Sequence, residues 1–199
     1  MPKTTSLGTA ELIQQHFREH QAVVARSLEL LEEPIGFASS ALIAALAAGY
    51  KILVFGNGGS AVDASHLAGE LLGRYSFNRQ PFPAIALGSD PGVVTCIAND
   101  FGYADLFSRQ IDALAQTGDV AIAFTASGKS ENVLRGLVTA RTRGASTIAL
   151  TGAAGLANGS ADIEIAVPSK ATAQIQEIHV IVLHIWCAAI DQTLGRRTD

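Results

Sequence analysis

Four side chains that suit metal binding and proton transfer stand in two segments far apart in the chain. His66 and Glu70 are four residues apart, and residues at that spacing lie on one face of a helix. Gln176 and His184 are eight residues apart, which places them about 80° from each other around a helix axis. Nitrogen and oxygen ligands of this kind suit a divalent ion, and two imidazoles favour zinc. The alternatives are a surface contact for the first pair and buried polar groups bonded to backbone for the second.

A glycine-rich loop, GNGGSA at 56–61, follows an apolar run and precedes the segment with His66. Glycines let the backbone approach a ligand, and a helix N-terminus provides free N–H groups for an anion. Ser60 adds a hydroxyl. The loop also matches the loose dinucleotide motif G-x-G-x-x-A. That motif needs an acidic residue about 20 residues further on, whereas the next predicted strand ends well past that distance, near Leu87. The loop therefore predicts a phosphate site, with an ordinary strand-to-helix turn as the alternative.

A second loop, TASGKS at 125–130, brings three hydroxyls together, those of Thr125, Ser127 and Ser130. Its GKS ending is typical of a nucleotide-binding P-loop, but a P-loop needs a glycine where this chain has Ala123. A hydroxyl-lined nest for one phosphate is the better match. For Ser130 the alternative is a simple helix cap.

A third polar loop, IAND at 97–100, is predicted after the second strand. It would place Asn99 and Asp100 near the same rim as the two glycine-containing loops. The alternative for Asp100 is a capping or turn residue.

An α/β fold must position these loops. Five short apolar runs alternate with helical segments, at 51–55, 83–87, 119–124, 146–150 and 163–167. Continuous apolar strands separated by helices indicate a parallel sheet covered on both faces. Right-handed crossovers then give a doubly wound, Rossmann-like three-layer sandwich with a central five-stranded sheet. In such sheets ligands bind beyond the carboxyl ends of the strands, where the loops lie.

Helices are predicted before and after the sheet. Apolar residues at helical spacing predict a first helix over 9–33, ended by Pro34, and a second that runs to about Gly49. A final helix over about 172–194 closes the chain. We expect residues 1–199 to form one domain, in which the helical region 1–49 serves assembly.

The composition narrows the function classes. Hydrophobic residues make up 48% of the chain and charged residues 16%, against roughly 25% charged in an average domain, so part of the surface is expected to be buried against other copies. The net charge of -4 argues against nucleic-acid or acidic-membrane partners. Cys96 and Cys187 are far apart, as expected of reduced core residues in a cytosolic protein. The N-terminus lacks the apolar core of a signal peptide, and no apolar run approaches about 18 residues. We therefore expect a cytoplasmic protein without a membrane span.

Several motifs occur in one order along the chain: GNGGSAVDASHLAGELLGRY, IANDFGYADLFSR, SGKSENV, IALTGAAG and IQEIHVIVLH. In this combination the sequence resembles the phosphoheptose isomerases of the sugar isomerase (SIS) domain superfamily, over about residues 51–184. The resemblance implies a homotetramer and one zinc ion with four ligands, His66, Glu70, Gln176 and His184. It also implies substrate contacts from Asn57, Gly58, Gly59, Asn99, Asp100, Thr125, Ala126, Ser127, Ser130 and Gln176. Ser60 and Glu70 complete the predicted substrate site.

The same resemblance implies an aldose–ketose isomerase that converts D-sedoheptulose 7-phosphate to D-glycero-D-manno-heptose 7-phosphate, a precursor of cell-surface glycans such as lipopolysaccharide. Moving a proton between C1 and C2 through an enediol needs a base near carbon and an acid near oxygen. The resemblance assigns Glu70 as the base and His184 as its acid–base partner. The phosphate is expected on Ser60, Ser127 and Ser130.

Three positions depart from the family pattern. The usual serine–threonine–serine of the phosphate loop has Ala126 at its centre, which removes a hydroxyl. Ala173 stands where an acidic residue is common, and Gly69 precedes Glu70 where the family often has paired glutamates. These changes leave open an isomerase for another ketose phosphate. A non-catalytic sugar-phosphate-binding regulator is the other alternative, which the retained Glu70 and His184 disfavour.

Overall fold

A single parallel sheet lies at the centre of the molecule. The computed structural model describes residues 8–157 and 159–196. The strands are β1 (Ile52–Gly56), β2 (Ala84–Ala86), β3 (Val120–Thr125), β4 (Ser146–Thr151) and β5 (Ile163–Ala166). Every neighbouring pair is parallel, and the order across the sheet is β2-β1-β3-β4-β5. All five predicted strands are confirmed, with each end within one residue of its predicted position.

Helices cover both faces of the sheet. They are α1 (Thr9–Ala47), α2 (Gly59–Leu72), α3 (Pro91–Asp100), α4 (Leu106–Leu114), α5 (Glu131–Thr142) and α6 (Thr172–Leu194). One core joins α1, α2 and α6 to the strand face that carries Ile52 and Val54. The other joins α3, α4 and α5 to the face that carries Leu53 and Phe55. Alternate residues of one apolar strand thus enter two cores, and the predicted three-layer sandwich is confirmed.

The strand order fixes where a ligand can enter. The chain passes from β1 outward to β2 and then returns across β1 to start β3, so the direction of winding reverses between β1 and β3. Open α/β sheets bind ligands in the crevice at such a switch point. The loops at 56–61 and 125–130 follow these two strands and therefore flank the crevice.

The predicted helix break at Pro34 is wrong. Helix α1 continues through it from Thr9 to Ala47. Proline removes one backbone hydrogen bond, but the buried face continues on both sides of it, with Leu31 before and Ala38 and Leu42 after. Packing of this continuous face against the core offsets the lost hydrogen bond.

Two expectations for the segment after β2 are also corrected. Asn99 and Asp100 do not lie in a loop that follows a strand, because they form the last two residues of α3. The capping residue of this helix is Asp90, whose carboxylate accepts from the backbone N–H groups of Gly92 and Val93. Cys96 lies on the exposed side of α3, so only Cys187 is the buried core cysteine that the sequence suggested.

Two helices, α1 and α6, are long and apolar enough by length and composition to cross a membrane. This differs from the expectation drawn from the sequence, which looked only for uninterrupted apolar runs. In α6 the apolar residues Ile178, Val182 and Trp186 are buried in the core beneath the sheet. A buried core helix passes the same test of length and hydropathy, and α6 is accounted for in that way.

Candidate active site

The structure brings three of the predicted metal ligands together between α2 and α6. The Nε2 atom of His66 lies 3.3 Å from Oε1 of Glu70 and 3.3 Å from Nε2 of His184. The three ligand atoms all fall within 4.8 Å of one another, and the side chains are half-buried. Around a tetrahedral ion with bonds of about 2.0–2.1 Å, neighbouring ligand atoms stand about 3.3 Å apart. The observed spacing therefore fits a zinc ion, for which Gln176 would be the remaining predicted ligand.

An internal ion pair, which sequence reasoning missed, ties the two helices of this cluster together. The Nε atom of Arg79 donates to Oδ1 of Asp191 on α6 at 2.7 Å, and both side chains are buried. The same guanidinium donates to the backbone carbonyls of Glu70 and Leu71 at the end of α2. Burial alone would raise the pKa of Asp191, but hydrogen bonds from Arg79 and Ser76 outweigh it and lower that pKa. Arg79 thus caps the C-terminal end of α2, and its charge is paired with that of Asp191 on α6.

An aromatic ring also contacts His184. The ring of Tyr75 stacks on the His184 imidazole with centroids 5.6 Å apart and an interplanar angle of 27°. The two histidine rings meet edge to face, 5.0 Å apart. His184 therefore packs against two rings, and these contacts restrict the orientation of its imidazole.

A cavity of about 210 Å³ opens at the carboxyl ends of β1 and β3. It is lined by Asn57, Ser60, Phe124, Thr125, Ala126, Ser127, Ser130, Thr172 and Gln176. Helices α2, α5 and α6 each begin at this cavity, so free backbone N–H groups and the positive ends of three helix dipoles point toward it. Such a site is suited to an anion, as the sequence predicted for both loops.

The hydroxyls of the cavity have protons to donate. Thr125 Oγ1 accepts from the N–H of Gly128 at 3.2 Å, and Ser127 Oγ accepts from the N–H of Lys129 at 3.3 Å. Each hydroxyl can then give its own proton to a phosphate oxygen. Ser130 is the residue before α5, yet its side chain makes no capping hydrogen bond. The helix-cap alternative therefore does not explain Ser130.

Two glycines are needed for the shape of the cavity. A Cβ atom at Gly59 would come within 2.5 Å of Nε2 of Gln176, so glycine lets α2 begin against that side chain. At Gly128, φ is +65° and a Cβ would lie 1.9 Å from the carbonyl oxygen of Gly155. The nearby Gly58 also has a positive φ, of 58°.

The predicted pair Asn99 and Asp100 does not line this cavity. Both side chains are exposed at the end of α3, where Nδ2 of Asn99 donates to Oδ1 of Asp100 at 2.7 Å. The chain immediately after them does reach the site. In the short 3-10 helix Tyr103–Asp105, the Tyr103 hydroxyl donates to Oδ1 of Asn57 at 2.8 Å.

At the cavity, four further residues were not predicted from the sequence. Thr172 and Phe124 line the cavity, while Asn132 and Tyr103 hydrogen-bond to Asn57. Thr172 carried a usable signal, since a threonine that opens a predicted helix facing the switch point suits anion binding. Tyr103 and Asn132 lay within quoted motifs, but their meeting at Asn57 depends on the tertiary fold.

Two buried ionisable groups lie on the helices of the site. His179 on α6 is fully buried, with Nε2 3.3 Å from the carbonyl oxygen of Thr151, and burial lowers its pKa to about 4. It is therefore neutral at physiological pH and joins α6 to the end of β4. On α2, burial raises the pKa of Asp63, against the opposing charge of His66.

Known proteins resemble this chain along nearly its whole length. The family model described as the SIS domain matches residues 15–152. The phosphoheptose isomerase of Shewanella sp. (strain ANA-3) is 45% identical over 188 residues, which cover 92% of this chain and 95% of that protein.

Solved structures agree in fold as well as in sequence. A phosphoheptose isomerase from Francisella tularensis superposes with a TM-score of 0.89 at 35% identity, covering 94% of this chain and 100% of that one. For a phosphoheptose isomerase from Neisseria gonorrhoeae the TM-score is 0.85, again at 35% identity and with 94% and 100% coverage. The cluster and the cavity thus lie in a fold that these isomerases share.

Proposed function

The chain belongs to the SIS domain family and, within it, to the phosphoheptose isomerases, and we propose that it interconverts D-sedoheptulose 7-phosphate and D-glycero-D-manno-heptose 7-phosphate. One observation carries the proposal: α2 and α6 both run from the hydroxyl-lined cavity to the His66–Glu70–His184 cluster. Ser60 and His66 are six residues apart, about 9 Å along the helix. The phosphate and the reacting carbons lie at opposite ends of an open-chain heptose 7-phosphate, so the two sites suit the two ends of one molecule.

The isomerisation is a pair of proton transfers. The Glu70 carboxylate takes a proton from C1 of the open-chain ketose, and the C1–H electrons form a double bond between C1 and C2. His184 gives a proton to the C2 oxygen, which completes the enediol. In the second half, His184 takes the proton of the C1 hydroxyl and Glu70 returns its proton to C2, which leaves an aldehyde at C1. Each residue ends as it began, as general acid–base catalysis requires.

We also propose that His66, Glu70, Gln176 and His184 hold one zinc ion per subunit, since the spacing of three of these side chains fits the ion. When bound, zinc would polarise the oxygens on C1 and C2 of the sugar. The protein's own contribution is to orient Glu70 and His184. Arg79 donates a hydrogen bond to the backbone carbonyl of Glu70, and Tyr75 stacks on the ring of His184.

The phosphate would lie in the cavity, on the hydroxyls of Ser60, Ser127 and Ser130 and on the N-termini of three helices. Ala126, which lacks the hydroxyl usual at this position, also lines the cavity. Thr172, the first residue of α6, also lines the cavity and adds a hydroxyl that was missed in the sequence. This site therefore keeps enough donors for a dianionic phosphate.

We further propose a soluble, cytoplasmic homotetramer. Large apolar side chains are exposed along α1, among them Leu12, Phe17, Leu28 and Phe37. Between α1 and α6 lies an apolar groove of about 390 Å³, which exposes Ile181 and Ile185 as well. Exposed apolar surface that extends over two helices is typical of a protein interface. Contact between subunits through α1 would cover it.

Turnover on a panel of ketose phosphates tests the proposed reaction. Purified protein should convert sedoheptulose 7-phosphate to the aldose, and metal analysis should find about one zinc per chain. Faster turnover of a shorter ketose phosphate would assign the enzyme to a different substrate. Binding of sugar phosphates without any turnover would contradict the isomerase and support the regulator.

A further inference from the structure

A reciprocal pair of amides joins the loop after β1 to the start of α5. Asn57, after β1, donates from Nδ2 to Oδ1 of Asn132 at 2.8 Å, and Nδ2 of Asn132 donates back to Oδ1 of Asn57 at 2.9 Å. Asn132 lies in the first turn of α5 and is only 3% exposed. A buried amide needs partners for both of its ends, and this pair supplies them. The loop after β1 is therefore held against the first turn of α5 through these two side chains.

The backbone decides which way both amides face. The N–H of Val133 donates to Oδ1 of Asn132 at 2.9 Å, and because a backbone N–H can only donate, that atom must be the oxygen. The Asn132 oxygen then requires a donor from Asn57, so Nδ2 of Asn57 must face it. Turning the Asn57 amide over would set two oxygens against each other. The backbone N–H of Val133 thus fixes the orientation of Asn132, and Asn132 in turn fixes the orientation of Asn57.

Tyr103 adds a second restraint on Asn57. Its hydroxyl donates to Oδ1 of Asn57 at 2.8 Å, so this oxygen already accepts from two donors. The 3-10 helix that carries Tyr103 is pinned to α5 by the ion pair between Asp105 and Arg135, at 2.7 Å. Among the described residues, Nδ2 of Asn57 donates only to Asn132, which leaves it one N–H. Asn57 itself lines the cavity.

We propose that Asn132 and Tyr103 are positioning residues that hold the Asn57 amide in one orientation, with its oxygen occupied and its remaining N–H offered to an acceptor oxygen of the sugar phosphate. The inference rests on the proposed function of the cavity. Neither residue touches the ligand. Their role is to make Asn57 a hydrogen-bond donor, since an amide turned the other way would present an oxygen to an anionic ligand and repel it.

Two substitutions test this role by steady-state kinetics on sedoheptulose 7-phosphate. Asn132→Asp keeps the acceptor for Val133 but replaces the donor to Asn57 with an oxygen, so either orientation of the Asn57 amide sets two oxygens against each other and the preference imposed by Asn132 is lost. KM should rise about 10-fold or more, with kcat changed less, in line with the loss of a hydrogen bond to a charged group. Tyr103→Phe removes one restraint and should raise KM by about 3-fold or more. Tyr50→Phe is the matched control. Tyr50 lies just before the amino end of β1, whereas the cavity lies at the carboxyl end, so the KM of this variant should not change.

The double variant distinguishes a positioning role from a general effect on structure. Because both residues act through the same amide, the effects of Asn132→Asp and Tyr103→Phe on KM should not multiply. Unchanged KM in a folded, zinc-loaded Asn132→Asp protein would overturn the inference, as would a fall in kcat with KM unaltered. If the wild-type chain shows no turnover, the isomerase proposal fails. The positioning role of Asn132 and Tyr103 is then tested by calorimetry, as the dissociation constant of the same sugar phosphate for each protein. The affinity should fall in both variants, and equal affinity in all the proteins, or no binding by the wild type, would overturn it.

Discussion

Glu70 is the residue on which the proposed chemistry depends most. Its carboxylate lies 3.3 Å from Nε2 of His66, one helical turn before it, and within 4.8 Å of the ligand atom of His184. Replacing Glu70 with Gln keeps the size of the side chain but removes the base. We expect turnover to fall by roughly 100-fold or more, measured as kcat on the heptose phosphate.

The matched control is Glu29→Gln, the same change on the exposed surface of α1, which should leave kcat as it is. Circular dichroism and zinc content of Glu70→Gln separate loss of the base from loss of fold or metal. A folded, zinc-containing Glu70→Gln protein with near-normal turnover would exclude Glu70 as the base.

Ser127 is the hydroxyl whose contribution to the phosphate site can be isolated most cleanly. Its Oγ accepts from the N–H of Lys129 and keeps a proton for the ligand. Ser127→Ala should weaken binding of the sugar phosphate by about 1–3 kcal/mol, the usual range for a hydrogen bond to a charged group. Ser40→Ala on α1, whose hydroxyl donates to the backbone carbonyl of Gly36 in the same helix, should have no such effect. Residual activity on the unphosphorylated sugar should hardly change, and an equal loss on both substrates would show that Ser127 does not contact the phosphate.

At the scale of elements, α6 depends on a buried imidazole. His179 has a pKa of about 4 in the folded protein, whereas an unfolded histidine titrates near 6.5. Above pH 6.5 both states are neutral, and the full stability is present. As the pH falls from about 6.5 toward 4, only the unfolded state gains the proton, so the free energy of unfolding should drop by up to about 3 kcal/mol.

Urea denaturation at several pH values measures this dependence. Wild-type protein and His179→Gln should differ in slope between pH 6.5 and 4, the variant being less stable at pH 7 but less sensitive to acid. The comparison cancels the other histidines, which titrate in both proteins. Parallel pH profiles for the two proteins would contradict a neutral, buried His179.

The elements themselves could largely be predicted from sequence, because burial on both faces leaves uninterrupted apolar strands. The two loops flanking the switch point followed from the same pattern, as did the i, i+4 pair of His66 and Glu70. The predicted helix break at Pro34 was wrong because tertiary packing of the residues before and after a proline can outweigh one lost hydrogen bond. The loop predicted at Asn99 and Asp100 was wrong because the polar end of a helix can have the same composition as a loop.

The supporting residues could not be predicted in this way. Arg79 meets Asp191 across 112 residues of chain, and Asn57 meets Asn132 across 75. Nothing in local spacing marks such pairs, since each forms only after the sheet has brought its elements together. The sequence therefore pointed to the groups to which we assign the chemistry and gave no sign of those that support them.

At the scale of the whole molecule, the structure places Glu70 and His184 in one chain. Had the two residues met across an interface, mixing inactive Glu70→Gln and His184→Ala subunits would have restored some activity. Within a single chain, every site in a mixed assembly carries one damaged residue. We therefore expect no recovery when the two variants are unfolded, mixed and refolded together, and activity in the mixture would show that the working cluster is shared between subunits.

The assembly itself can be tested on α1. Leu28 is 71% exposed and lines the apolar groove between α1 and α6, so a charge there should oppose any contact that covers the groove. In Leu28→Glu we expect light scattering to show species smaller than a tetramer and the activity per subunit to fall. Ala22→Glu is the control, because it adds the same charge about 120° away around the exposed surface of the helix and should leave the assembly intact. A fully active wild-type monomer would refute the homotetramer, and an unchanged tetramer in Leu28→Glu would move the interface away from this groove.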